Sequence, residues 1–62
     1  MALNLKANID RPDDFYQLLI DIQRDMSEDD VQLMNAKLIL ILSNHIGDQE
    51  TLSEAMLLAR DS

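Results

Sequence analysis

A chain of 62 residues forms one small domain, and folding removes only about 60% of its unfolded surface from water. It has no cysteine and one histidine, which excludes a disulfide framework and a structural zinc site closed within one chain. Twelve acidic residues against five basic ones give a net charge of −7, so binding to nucleic acid or anionic lipid is disfavoured.

Residues 1–9 are predicted to form an extended arm, because apolar and polar residues alternate there with a period of two. One strand cannot make a sheet. The arm could therefore lie across the helices of its own chain, pair with its copy in a second chain, or extend a partner's sheet. The segment also lacks the basic and apolar regions of an export signal, so we expect a cytoplasmic protein.

The first helix is predicted over residues 11–26. Asp10, followed by Arg11 and Pro12, is typical of an N-cap with proline in the first turn. Apolar residues then recur at helical spacing and define one buried face, whose members are Phe15, Leu18, Leu19, Ile22 and Met26.

The second helix, predicted over residues 28–46, is the most apolar segment of the chain. Ser27 is expected to cap its start, and Gly47 to end it in the left-handed conformation. Its longest apolar run, residues 38–42, is far shorter than the roughly 20 residues of a membrane span, so no membrane insertion is expected. The predicted core face consists of Val31, Met34, Leu38, Ile41 and Leu42, with Ile39 and Ile46 at its edge.

Asp48 is predicted to cap a third helix over residues 49–60, whose inner face carries Leu52, Ala55, Met56 and Ala59. The sequence therefore predicts an all-α fold with a single domain over residues 1–62. We expect a three-helix hairpin or bundle preceded by the arm of residues 1–9.

A second apolar stripe lies opposite the core face of the second helix. Leu33 and Leu40 are two turns apart on this stripe, and a helix that is apolar on two sides needs neighbours on both. We therefore expect a homo-oligomer, with a dimer favoured. The predicted interface residues are Leu33, Ala36, Leu40, Asn44, Ile20 and Leu57.

Four polar residues in and after the apolar helix form a candidate polar site: Asn35, Asn44, His45 and Asp48. Buried polar groups require hydrogen-bond partners, which favours a structural role for His45. The alternative is a catalytic or ligand-binding imidazole, since histidine titrates near neutral pH. One histidine and one nearby carboxylate are too few ligands to indicate a metal, and no motif indicates a cofactor.

Three segments carry a family resemblance: DRPDDFYQLLIDI, LMNAKLILILSNHIGD and LSEAMLLAR. Together they resemble a family of short bacterial proteins known only as a domain of unknown function. Members of this family are often encoded beside FAD-dependent aromatic hydroxylases or related oxidoreductases, and the resemblance implies an accessory role. It supplies no catalytic residue.

The predicted function is a non-catalytic helical protein-interaction module. It would associate with itself or act as an accessory subunit of a larger catabolic enzyme, for which the resemblance implies a flavin-dependent class. The alternative is a small oligomeric enzyme or ligand-binding protein that uses His45 at a subunit interface.

Overall fold

The computed structural model describes residues 3–62 and contains three helices and no strand in that range. We number them α1 (Pro12–Gln23), α2 (Glu28–Ile46) and α3 (Gln49–Asp61). The all-α class and the three helices are thereby confirmed. Residues 1 and 2 of the predicted arm lie outside the described residues.

The start of α1 differs from the prediction. Arg11, not Asp10, occupies the N-cap position, with non-helical backbone angles (φ −132°, ψ 79°) and no capping hydrogen bond from its side chain. Helical angles are sterically disfavoured for the residue before a proline, so Pro12 favours a helix start one residue later than predicted. The N–H of Phe15 then donates to the carbonyl of Arg11 at 3.0 Å.

The end of α1 also comes earlier than the prediction of residue 26. The N–H of Arg24 donates to the carbonyl of Asp21 at 3.4 Å, and that of Met26 donates to Gln23 at 3.1 Å. Such bonds to the third preceding residue tighten the last turn beyond α-helical geometry. Met26 consequently lies in the connection to α2 and not on the face of α1.

Both ends of α2 are as predicted. The hydroxyl of Ser27 accepts a hydrogen bond from the N–H of Asp30 at 3.2 Å. Gly47 has a φ of 69°, and its N–H donates to the carbonyl of Ser43 at 2.8 Å. A Cβ on Gly47 would lie 3.7 Å from the carbonyl oxygen of Asn44, which is ordinary contact, so the left-handed backbone and not lack of space favours glycine here.

The helices remain open and do not enclose a core. Among residues 3–62 no apolar side chain is buried, and the radius of gyration is 13.3 Å, against about 10.5 Å for a compact chain of this length. Val31, Met34 and Leu38 of the predicted core face are half-buried, whereas Ile41 and Leu42 are exposed. Closed packing of the helices into a bundle stays a prediction.

The described part of the arm lies against its own chain at one point. The backbone N–H of Leu3 donates to the carboxylate of Glu54 in α3 at 3.1 Å, and Leu3 is half-buried. At the other end of the arm, Ile9 lines a shallow groove with Phe15 and Leu18 of α1. The arm thus contacts its own chain at these two places, and the choice among the three predicted arrangements stays a prediction.

Candidate functional site

The predicted interface residues all lie at the surface. Leu33 is 54% exposed and Leu40 is 70% exposed, and Ala36 and Asn44 beside them on α2 are also exposed. Ile20 on α1 and Leu57 on α3 are each half exposed. These residues are therefore available to a partner, and the interface itself stays a prediction.

A second apolar feature adjoins this stripe. We call it the α2–α3 groove, a depression of about 400 Å³ between the two helices. At 100° per residue, Ala36 and Ser43 lie between the Leu33–Leu40 stripe and the rim of the groove, so the two features form one continuous surface. The residues that line the groove are Ile39, Leu42, Ser43, Ile46, Gln49, Leu52, Ala55, Met56 and Ala59.

This surface is nearly free of charge although the protein is strongly acidic. From Val31 to Ile46, the ionisable side chains are Lys37 and His45 alone. The acidic residues of α2 are confined to its first turn, residues 28–30, where they complement the positive end of the helix dipole. The surface is therefore suited to an apolar partner and offers no acidic patch for a basic one.

Asn35, the first of the polar candidates, is tied to α1. The Nε2 of Gln23 donates to the Oδ1 of Asn35 at 2.8 Å and also lies 3.6 Å from the sulfur of Met34. The requirement for a specific partner is thus met by a side chain of the neighbouring helix. This arrangement accounts for Asn35 through the contact between α1 and α2, without a ligand.

Asp48, a second polar candidate, is the N-cap of α3. Its Oδ2 accepts hydrogen bonds from the N–H of Thr51 at 2.9 Å and from the hydroxyl of Thr51 at 2.5 Å. These two bonds stabilise the ionised carboxylate and lower the pKa of Asp48 below its ordinary value. The predicted capping role is confirmed, and the carboxylate of Asp48 is engaged in this cap.

His45 lies in the last turn of α2 with an exposed side chain. In the described part of the chain it forms no hydrogen bond and no ion pair. Asn35 is ten residues away on the same helix, or about 15 Å along the axis, so these two polar candidates do not share a site. Asn44 is exposed beside His45. The four polar candidates therefore do not converge on one ligand.

Residues 3–62 contain neither a cluster of metal ligands nor a membrane-spanning helix. Across this range, no group of three or more histidine, cysteine, aspartate or glutamate side chains is arranged to hold a metal ion. None of the three helices is both long enough and apolar enough to cross a membrane.

The comparison with protein families decides the classification. The family model described as "Protein of unknown function (DUF2783)" matches residues 3–61. The chain belongs to the DUF2783 family. The DUF2783 match spans the described part of the arm and nearly all of the three helices. No curated protein and no solved structure matches the chain.

Two structural residues of this DUF2783 chain were not predicted from its sequence. Gln23 joins α1 to α2, and Thr51, at 6% exposure, is the buried residue of the described chain. The spacing Asp48-x-x-Thr51 could have indicated the second, since it places a hydroxyl where a capping box has its reciprocal side chain. Gln23 has no comparable local signal, because its partner lies twelve residues away on another helix.

Proposed function

We propose that this chain is a non-catalytic helical interaction module whose first partner is a second copy of itself. The observation that carries the proposal is the accessible surface of 5760 Å². A compact monomer of 7.1 kDa exposes about 4,100 Å², so the chain exposes roughly 1,700 Å² more than its size requires. The open helices and the extended arm both contribute to this excess.

The exposed surface is strongly apolar. Among the described residues, seventeen large apolar side chains are at least 39% exposed, from Leu5 at 75% to Met26 at 39%. The largest apolar patch of a soluble monomer is typically about 300–600 Å². A chain that leaves most of its large apolar side chains in water gains stability by covering them with protein.

The size of the excess fits a permanent pair of chains. If each of two copies covered its own excess, the interface would total about 3,400 Å², within the range of about 2,000–5,000 Å² for obligate homodimers.

The larger enzyme partner, of the flavin-dependent class that the sequence resemblance implies, is a proposal that rests on that resemblance alone. It would bind the assembled module.

Thermal unfolding at different protein concentrations tests this function. If the folded form is an assembly of copies and the unfolded form is a single chain, mass action requires the melting temperature to rise with concentration. We expect a steady rise in the midpoint, measured by circular dichroism, over about a hundredfold range of concentration. A cooperative transition whose midpoint does not change over that range would contradict self-association.

A further inference from the structure

The outer face of α2 has a pattern that specifies how two copies would pair. We define this face by four residues in a repeat of seven: Leu33 and Leu40 at one position, Ala36 and Ser43 at the other. This spacing is the seam of a two-helix coiled coil, except that one position is large and the other is small. Ile39 lies beside the face, at the rim of the α2–α3 groove.

We propose that two copies pair through antiparallel α2 helices related by a two-fold axis at the level of Leu38. This proposal rests on the self-association proposed above and specifies its geometry. Leu40 of each copy lies opposite Ala36 of the other, and Leu33 lies opposite Ser43. The second copy's α2 also covers the rim of the α2–α3 groove at Ile39.

Side-chain size favours the antiparallel arrangement. In a parallel pair each seam position meets its own copy, so leucine meets leucine in one layer while alanine meets alanine, or serine meets serine, in the next. Such layers alternate between crowded and empty. Reversal of one helix places a leucine against a small residue in every layer, which fills the space evenly.

Charge favours the same arrangement. A parallel pair would bring the acidic first turns of the two α2 helices together, at residues 28–30 of each copy. In an antiparallel pair these turns lie at opposite ends of a helix about 28 Å long, well beyond the screening length of about 8 Å at physiological salt. The opposed helix dipoles add a smaller contribution of the same sign.

A second copy is the occupant that the observations favour. The face is apolar, the charged side chain beside it on α2 is Lys37, and the surface available for burial has the size of a permanent dimer interface. A pair formed in this way covers the same surface on both copies, as a two-fold interface requires.

Disulfide trapping tests the orientation, since the chain has no natural cysteine. Leu33→Cys and Ser43→Cys are made separately, mixed in equal amounts, oxidised gently and analysed by mass spectrometry. We expect the mixed disulfide to exceed both like-with-like products at least about tenfold, because like positions lie about 15 Å apart in the antiparallel pair, beyond the reach of about 7 Å between Cα atoms. His45→Cys, on the opposite side of α2, is the control. It should form little disulfide-linked dimer, either with itself or with the other two variants.

A charge substitution with a matched control gives an independent measurement. Leu40 and Ile41 are adjacent on α2 and similarly exposed, at 70% and 64%, but only Leu40 lies on the outer face. Leu40→Glu places a carboxylate from each copy in the interface and should raise the dimer dissociation constant about a hundredfold or more. Ile41→Glu should change it less than about threefold.

The outcomes separate this inference from the proposed function. Like-with-like disulfides in excess would show a parallel pair and overturn the geometry while self-association stands. Equal weakening by Leu40→Glu and Ile41→Glu would place the interface elsewhere on the chain. A wild-type protein that is monomeric by mass would overturn both proposals together.

Discussion

Gln23 donates a hydrogen bond of 2.8 Å to Asn35, and this bond joins the end of α1 to α2. Other side-chain hydrogen bonds of the described helices are local, as in the pairs Arg24–Asp21 and Thr51–Asp48, and the bond from the N–H of Leu3 to Glu54 joins the arm, not a second helix, to α3. The Gln23–Asn35 bond therefore sets the position of α1 along α2. It also holds Met34 beside the half-buried amide of Gln23.

Loss of this bond should loosen the contact between α1 and α2. We expect Asn35→Ala to lower the free energy of unfolding by about 0.5–1.5 kcal/mol, because the amide of Gln23 keeps only a weak sulfur acceptor. Urea unfolding of Gln23→Ala, Asn35→Ala and the double variant measures the coupling between the two residues. Strictly additive effects would show that the bond does not stabilise the folded chain.

The cap of α3 should make stability depend on pH in the acidic range. Hydrogen bonds from Thr51 lower the pKa of Asp48 in the folded chain, so the ionised carboxylate contributes stability above its ordinary pKa. That contribution is lost as pH falls through the lowered pKa. Asp48→Asn retains an acceptor oxygen but carries no charge, so comparison with it isolates this effect from the other carboxylates.

The measurement is the difference in melting temperature between wild type and Asp48→Asn. We expect a constant difference in favour of wild type above about pH 5, and a smaller one below about pH 4. A difference that stayed constant between neutral and strongly acidic solution would show that ionisation of Asp48 is not coupled to folding.

Salt should strengthen self-association. Each copy carries a net charge of −7, and the proposed interface contains no ion pair that salt could weaken. Added sodium chloride screens the repulsion between copies, since the Debye length falls from about 30 Å at 0.01 M to about 10 Å at 0.1 M. We expect the dissociation constant from dilution calorimetry to fall over this range. Weaker association at higher salt would indicate an interface held by opposite charges.

Local signals in the sequence predicted the helix boundaries well where a capping residue was present. Ser27, Gly47 and Asp48 act through backbone groups within four residues, so their roles follow from spacing alone. The start of α1 was predicted one residue too early, because the steric effect of Pro12 on Arg11 outweighs the capping preference of Asp10.

Periodicity was less reliable for burial than for helix position. It assigned Ile41 and Leu42 to a core face, yet both are exposed, because the two other helices, α1 and α3, are too short to surround α2 within one chain. The hydrogen bond between Gln23 and Asn35 depends on how α1 packs against α2, and a helical repeat contains no such information. The apolar stripe of Leu33 and Leu40 follows from helical spacing alone, and both side chains are exposed, but its role as an interface stays a prediction.

The mass of the wild-type protein in solution tests self-association most directly. Sedimentation equilibrium at several concentrations, in physiological salt, measures this mass without attachment or labelling. We predict a mass of twice 7.1 kDa that decreases towards the single-chain value only on strong dilution. A folded protein with a mass of 7.1 kDa at every concentration would contradict the account.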